Sequence, residues 1–192
     1  MFKLLFYILT CYFLLILLVL FFAFIFYISK RDLIESDINR LKRSGVTGLI
    51  KALISNREYR NLFYFRIGKI GKLFNIILKG NPTLHIFHTC KIGKGLVIVH
   101  GDATYINCIS MGENCYVNQC VTIGVVGDKR PIIGNNVRIA TGAIVLGGII
   151  IGDNTTIAAG CVVVKDVPAN CLVVGNPAII KRKDGINCNI PL

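Results

Sequence analysis

Ile133-Gly-Asn-Asn-Val-Arg, Ile139-Ala-Thr-Gly-Ala-Ile, Val145-Leu-Gly-Gly-Ile-Ile, Ile151-Gly-Asp-Asn-Thr-Thr, Ile157-Ala-Ala-Gly-Cys-Val and Val163-Val-Lys-Asp-Val-Pro follow one another without a break. Each group of six opens on Ile or Val. The second residue is often small, as at Gly134, Ala140, Gly152 and Ala158. The fifth is small or β-branched: Val137, Ala143, Ile149, Thr155, Cys161 and Val167. Six residues turn an α-helix by about 600°, so no helical face keeps this period. The glycines argue against helix as well. One short strand and one turn per six residues does keep it. Three such strands make a triangular coil whose Ile, Val and small residues stack inside in columns. Cys115 and Cys161 fall at fifth positions and read as core filler.

Working toward the N-terminus, further hexads open at Ile86, Ile92 and Ile98, then at Met111, Val117 and Ile123. The phase breaks twice. One extra residue lies between Ile98 and Met111, and ten residues rather than a multiple of six separate Ile123 from Ile133. The second break predicts a loop that leaves the coil, with Gly127, Asp128, Lys129, Arg130 and Pro131. Loops leaving a rigid scaffold are where binding residues concentrate.

The rest of the chain differs in composition. The net charge of +12 over 192 residues is unevenly spread. Residues 1–29 contribute +1 through Lys3. Residues 30–79 hold 12 Lys/Arg against four Asp/Glu, and residues 80–192 hold nine against six. Leu4 to Ile28 is 25 residues without charge, proline or glycine. As a helix it reaches roughly 37 Å, enough to cross a ~30 Å hydrocarbon core. It exceeds the ~7–15 residues of a signal-peptide core and no small-x-small cleavage site follows, so a retained anchor is expected. The basic residues after it predict a cytoplasmic body and an inner, cytoplasmic membrane location. With no chemical group in the segment, it reads as a tether dispensable for chemistry. Residues 30–79 read as a basic helical region. Ser55-Asn56-Arg57-Glu58 looks like a capping box opening a helix through Ile67, with Gly45 and Gly48 separating it from an earlier one. No nucleic-acid motif accompanies the charge, so no nucleic-acid partner is expected. Eight cysteines include no C-x-x-C pair, which removes the usual zinc and redox motifs.

At this point the hexads, His100 in Leu96-Val-Ile-Val-His100, Gln119-Cys-Val-Thr-Ile-Gly124, and Val164-Lys-Asp-Val-Pro168 followed by Gly175-Asn-Pro-Ala178 carry a resemblance. They are similar to the left-handed parallel β-helix acyltransferases, in the serine O-acetyltransferase-like branch that includes capsule and sugar O-acetyltransferases. The resemblance covers residues 80–183 strongly and the basic helical block more loosely. With the segments read above, a mainly β protein is expected: an anchor over 1–29, the helical region over 30–79, the left-handed β-helix over 80–183 and a tail over 184–192. The resemblance further implies a homotrimer, acetyl-CoA as co-substrate, no metal, and acetyl transfer to a hydroxyl. A hydroxyl attacks a thioester poorly until a base takes its proton, and imidazole suits that task. His100 matches the family's catalytic histidine. Serine acetyltransferases carry aspartates fifteen residues before and immediately before that histidine, where this chain has His85 and Val99. The family's loop arginine–histidine pair becomes Lys129 and Arg130. Loss of both carboxylates removes the obvious partner for serine's ammonium, so a sugar or glycolipid hydroxyl is the expected acceptor. The alternatives are serine itself and a non-catalytic membrane-associated scaffold. His85, Asn107, Lys129 and Arg130 are the expected acceptor-binding residues. Asp102, Asn107, Glu113 and His85 are candidates for orienting His100. The related galactoside acetyltransferases place Thr141, Ala159, Lys165 and Arg182 at positions contacting CoA. The three histidines, His85, His88 and His100, lack the spacing that a zinc-dependent γ-class carbonic anhydrase needs.

Overall fold

A computed structural model describes residues 2–192 and divides into two compact units, meeting at Gly80 and Asn81. The first unit has five helices: α1 Phe2–Ser29, α2 Arg31–Asn39, α3 Gly45–Ser55, α4 Arg57–Ile67 and α5 Lys69–Ile77. Lys3–Ser29 of α1 is long and apolar enough to cross a membrane.

The tether reading changes here. Val19, Ala23 and Tyr27 recur every four residues, so they share one face of α1. They are buried in one core with Ile34, Ile38, Leu53, Phe63 and Phe74. From Leu4 to Leu15 the large apolar side chains are exposed. The C-terminal half of α1 is therefore a structural helix of the bundle. Removing residues 2–14 should leave the bundle's thermal transition by circular dichroism within a few degrees. Removing residues 2–28 should abolish it, because three buried side chains leave together.

Two local expectations shift as well. The α4 cap is Asn56, whose Oδ1 accepts the Tyr59 amide at 2.7 Å; Ser55 ends α3 and its hydroxyl donates to Lys51 O. Gly45 opens α3, but Gly48 lies inside it against the Arg43 backbone, where a Cβ would be only 3.2 Å from the Arg43 carbonyl carbon. Inside the bundle Arg66 and Asp37 form a two-pronged ion pair, Nε–Oδ2 3.0 Å and Nη2–Oδ1 3.2 Å, with side chains 4% and 1% exposed.

The second unit is a parallel β-solenoid of about five coils. Its strands stack into three sheets, one per side of a prism. Side A begins at Leu84–Ile86, side B at Lys91–Ile92 and side C at Val97–Ile98. Within each side all the solenoid strands are parallel. The first residue of every hexad from Met111 to Val163 is buried, as are the fifth positions Val137 to Val167. The small second positions permit close stacking. A Cβ on Gly152 would come within 2.4 Å of the Ala169 amide nitrogen.

At the corner from side B to side C runs a ladder that the hexad pattern did not announce. Asn136 Nδ2 donates to Asn154 Oδ1, Asn154 to Asn170 and Asn170 to Asp184, at 3.0, 2.9 and 2.9 Å. All four residues have φ between +50° and +58°, the left-handed region that Asn and Asp tolerate better than other non-glycine residues. Asn154→Ala loses two ladder bonds and forces a methyl side chain into that region. We expect a cost of about 2 kcal/mol by urea unfolding. Asn154→Gly, which restores the backbone freedom, should recover part of it.

The expected tail over 184–192 is instead a strand. Ile179–Lys183 and Ile186–Pro191 form an antiparallel hairpin added to side C beside Cys171–Val174. Asp184 and Gly185 both have positive φ and make its two-residue turn, the arrangement an Asp-Gly pair favours.

Candidate active site

His100 stands at the corner from side C to side A, exposed, with φ +51°. Among the described residues its ring makes no hydrogen bond. The strand pairs Val97↔Tyr116↔Arg138↔Thr156 and Ile98↔Val117↔Ile139↔Ile157 fix what lies beside it. Two residues past each strand come His100, Gln119, Thr141 and Ala159, so all four stand at one corner. The carbonyl ladder of that corner runs through Asp102, Gln119 and Thr141, which accept the next coil's amides from Cys120, Gly142 and Gly160.

The corner at His100 is wider than those stacked with it. Residues 99–104 separate Ile98 from Tyr105, whereas 118–121 separate Val117 from Thr122, the residue paired with Tyr105. At the next corner only 107–109 intervene before Ser110. The single extra residue counted in the sequence is therefore two inserted beside His100 and one removed from the following turn. The widened corner holds two left-handed residues, His100 and Ala103. It also carries Asp102, whose amide donates to His100 O and whose Oδ1 accepts from Asn81 Nδ2 at 2.9 Å and Thr83 Oγ1 at 3.3 Å.

The remaining candidates distribute over the prism. His85 projects from side A and stacks on Tyr105, with ring centroids 4.7 Å apart. Asn107 lies at the corner from side A to side B, its Oδ1 buried and without a hydrogen-bond partner. The same corner carries the excursion. Val126 and Lys129 exchange backbone hydrogen bonds across Gly127-Asp128, closing a tight hairpin. Arg130 Nη1 donates to Thr89 Oγ1 at 2.8 Å and to Cys108 O at 3.5 Å. A cavity of about 460 Å³ opens beside it, lined by Ile109, Asp128, Lys129, Arg130, Ile132 and the Gly148–Ile150 turn. Nearby, the hydrogen bond from Cys108 and the Arg130 charge hold the Cys90 thiol below its ordinary value, while that bond and burial raise Cys108.

Glu113 is at the third corner, its amide donating to Asn135 Oδ1. Of the four residues considered for orienting His100, Asp102 shares its corner, His85 lies on the adjoining side, and Asn107 and Glu113 stand at the other two corners. Thr141 and Ala159 join His100. Lys165 stands above the loop corner, since Val163 pairs with Val145, and Arg182 is exposed on the C-terminal hairpin opposite Leu172. A single chain therefore holds the four candidate CoA contacts in three places. Among the described residues no cluster of His, Cys, Asp and Glu suits a metal ion.

The description "Bacterial transferase hexapeptide (six repeats)" belongs to a family model that matches residues 130–165. The chain is 34% identical over 141 residues to a serine acetyltransferase of Synechococcus elongatus, covering 71% of this chain and 58% of that one. It is 36% identical over 148 residues to a serine acetyltransferase of Staphylococcus aureus, covering 74% and 68%. Among solved structures it resembles a Neisseria gonorrhoeae serine acetyltransferase, with TM-score 0.67, 26% identity and coverage of 80% and 66%. A structure of the gonococcal protein in complex with serine gives TM-score 0.64 at 27% identity, with coverage of 77% and 67%.

Proposed function

The chain belongs to the hexapeptide-repeat, left-handed β-helix acyltransferases, in their serine acetyltransferase branch, and from that membership we propose that it is an acetyl-CoA-dependent O-acetyltransferase with His100 as general base. The observation that carries the reading is the corner that His100 shares with Gln119, Thr141 and Ala159. It holds an exposed imidazole at the same prism edge as the two small positions expected to face CoA. In the reaction the neutral imidazole takes the acceptor's hydroxyl proton as its oxygen attacks the thioester carbonyl. The C–S bond then breaks, the CoA sulfur leaves, and the proton on His100 passes to it.

The relatives are named for serine, and they support the serine alternative better than the sugar acceptor expected from the sequence. Asp102 bears on the missing aspartates. It is an exposed carboxylate in the widened corner itself, held through Oδ1 by Asn81 and Thr83, and supports recognition of serine's ammonium there. A neutral hydroxyl remains the second reading, favoured by His85 and Val99. The test is full-length protein with radiolabelled acetyl-CoA and either L-serine or a panel of hexoses and lipid-linked sugars. Labelled O-acetylserine is the expected product. Labelled sugar alone would move the acceptor to the second reading, and no label in either would defeat the enzyme reading. Asp102→Asn should raise KM for serine about tenfold or more and leave KM for acetyl-CoA within twofold.

The dispersion of Thr141, Ala159, Lys165 and Arg182 supports a groove between copies, and hence a homotrimer. Sedimentation in detergent should give a protein mass three times 21.2 kDa; an active monomer would refute the shared groove. The apolar α1 and the basic residues after it support a membrane-held protein with its solenoid in the cytoplasm.

A further inference from the structure

The first unit contains a pocket unrelated to acetyl transfer. It measures about 540 Å³ and is lined by Tyr12, Arg57, Arg60, Lys79 and the Ile76–Leu78 end of α5. Three of these side chains are cations. Arg60 is 9% exposed, and its Nε is enclosed with no hydrogen-bond partner. Burial, with Arg57 alongside, holds its guanidinium below the ordinary arginine value; Tyr64, Glu58 and Tyr12 act the other way. Glu58 is the only carboxylate in that set, so the three cations remain in excess. A buried guanidinium nitrogen without an acceptor is costly, and a planar donor fork in a cationic recess matches a phosphate. Arg57 also opens α4, so the helix dipole adds to the attraction.

We propose that this pocket binds a phosphate group, and that the group is the phosphate of an anionic phospholipid. The lipid source follows from α1. Tyr12 Oη donates to Ile77 O at 2.9 Å, which fastens the pocket to the apolar helix. On either side of Tyr12 the large apolar side chains of α1 from Leu4 to Leu15 are exposed, so the cations border a surface suited to lipid. The exposed apolar residues Ile70, Leu73 and Ile76 continue the greasy surface along α5, giving acyl chains a place to lie beside the headgroup.

The test is calorimetric titration of detergent-solubilised full-length protein with three probes: dihexanoyl phosphatidylglycerol, dihexanoyl phosphatidylcholine and inorganic phosphate. Phosphatidylglycerol should bind at one site per chain, at least tenfold tighter than phosphatidylcholine. Arg60→Gln should weaken it by tenfold or more. Because Arg60 is buried, the exposed pair Arg57→Gln/Lys79→Gln serves as the second variant and should weaken binding similarly without disturbing the fold. Inorganic phosphate binding with the same sensitivity, and no preference for the lipid, would keep the phosphate site and overturn the lipid source. Binding of all three probes unchanged by either variant, or no binding of any, would overturn the site.

Discussion

Replacing His100 with alanine should lower kcat by about 10²–10⁴ while acetyl-CoA affinity stays within twofold. The imidazole acts on the acceptor's proton, not on the co-substrate. His85→Ala is the control. His85 stacks on Tyr105, on the side adjoining the His100 corner, and makes no hydrogen bond to His100, so its loss should cost less than tenfold. Steady-state kinetics with varied acceptor and varied acetyl-CoA decide the matter. A His100→Ala protein retaining more than a third of wild-type turnover would remove His100 from the chemistry and revive the scaffold reading.

The largest effect on stability should come from Arg66→Met. Its partner Asp37 is 1% exposed and loses both prongs of the ion pair. Removing one partner of a buried ion pair is expected to cost about 3–5 kcal/mol. Removing both charges together, as Asp37→Leu with Arg66→Met, should recover most of the loss, since apolar packing often replaces a buried pair without penalty. Denaturant unfolding of the detergent-solubilised protein, followed by helical circular dichroism, measures both. A single variant within 1 kcal/mol of wild type would show that water reaches Asp37.

The solenoid was legible because its signal is repeated: each hexad votes again for the same period, and every first position from Met111 to Val163 is indeed buried. The α1 packing was not legible. A helix apolar on every face has no polar side to define the stripe of Val19, Ala23 and Tyr27. The C-terminal hairpin had a readable signal in Asp184-Gly185, a pair suited to a two-residue turn. His100 was visible only through its surrounding motif, because a lone exposed imidazole carries no signature. Where the other candidates stand depends on counting corners. A line of sequence does not show that Thr141 and Lys165 lie at different edges of a prism, but the strand pairing does.

The widened corner has a further consequence for assembly of the fold. Ile133↔Ile151 and Val145↔Val163 are each 18 residues apart, so stretches built this way would fit almost as well if one slid past the next by a full coil. Ile86↔Ile106 are 20 apart and Ile106↔Ile123 are 17 apart. Those uneven spacings match only one alignment. They act as a registration mark, making slippage costly in the coils that carry His100, much as uneven strand patterns block alternative pairings elsewhere. The irregularity that interrupts the repeat thus also fixes the height of the imidazole against Thr141 and Ala159.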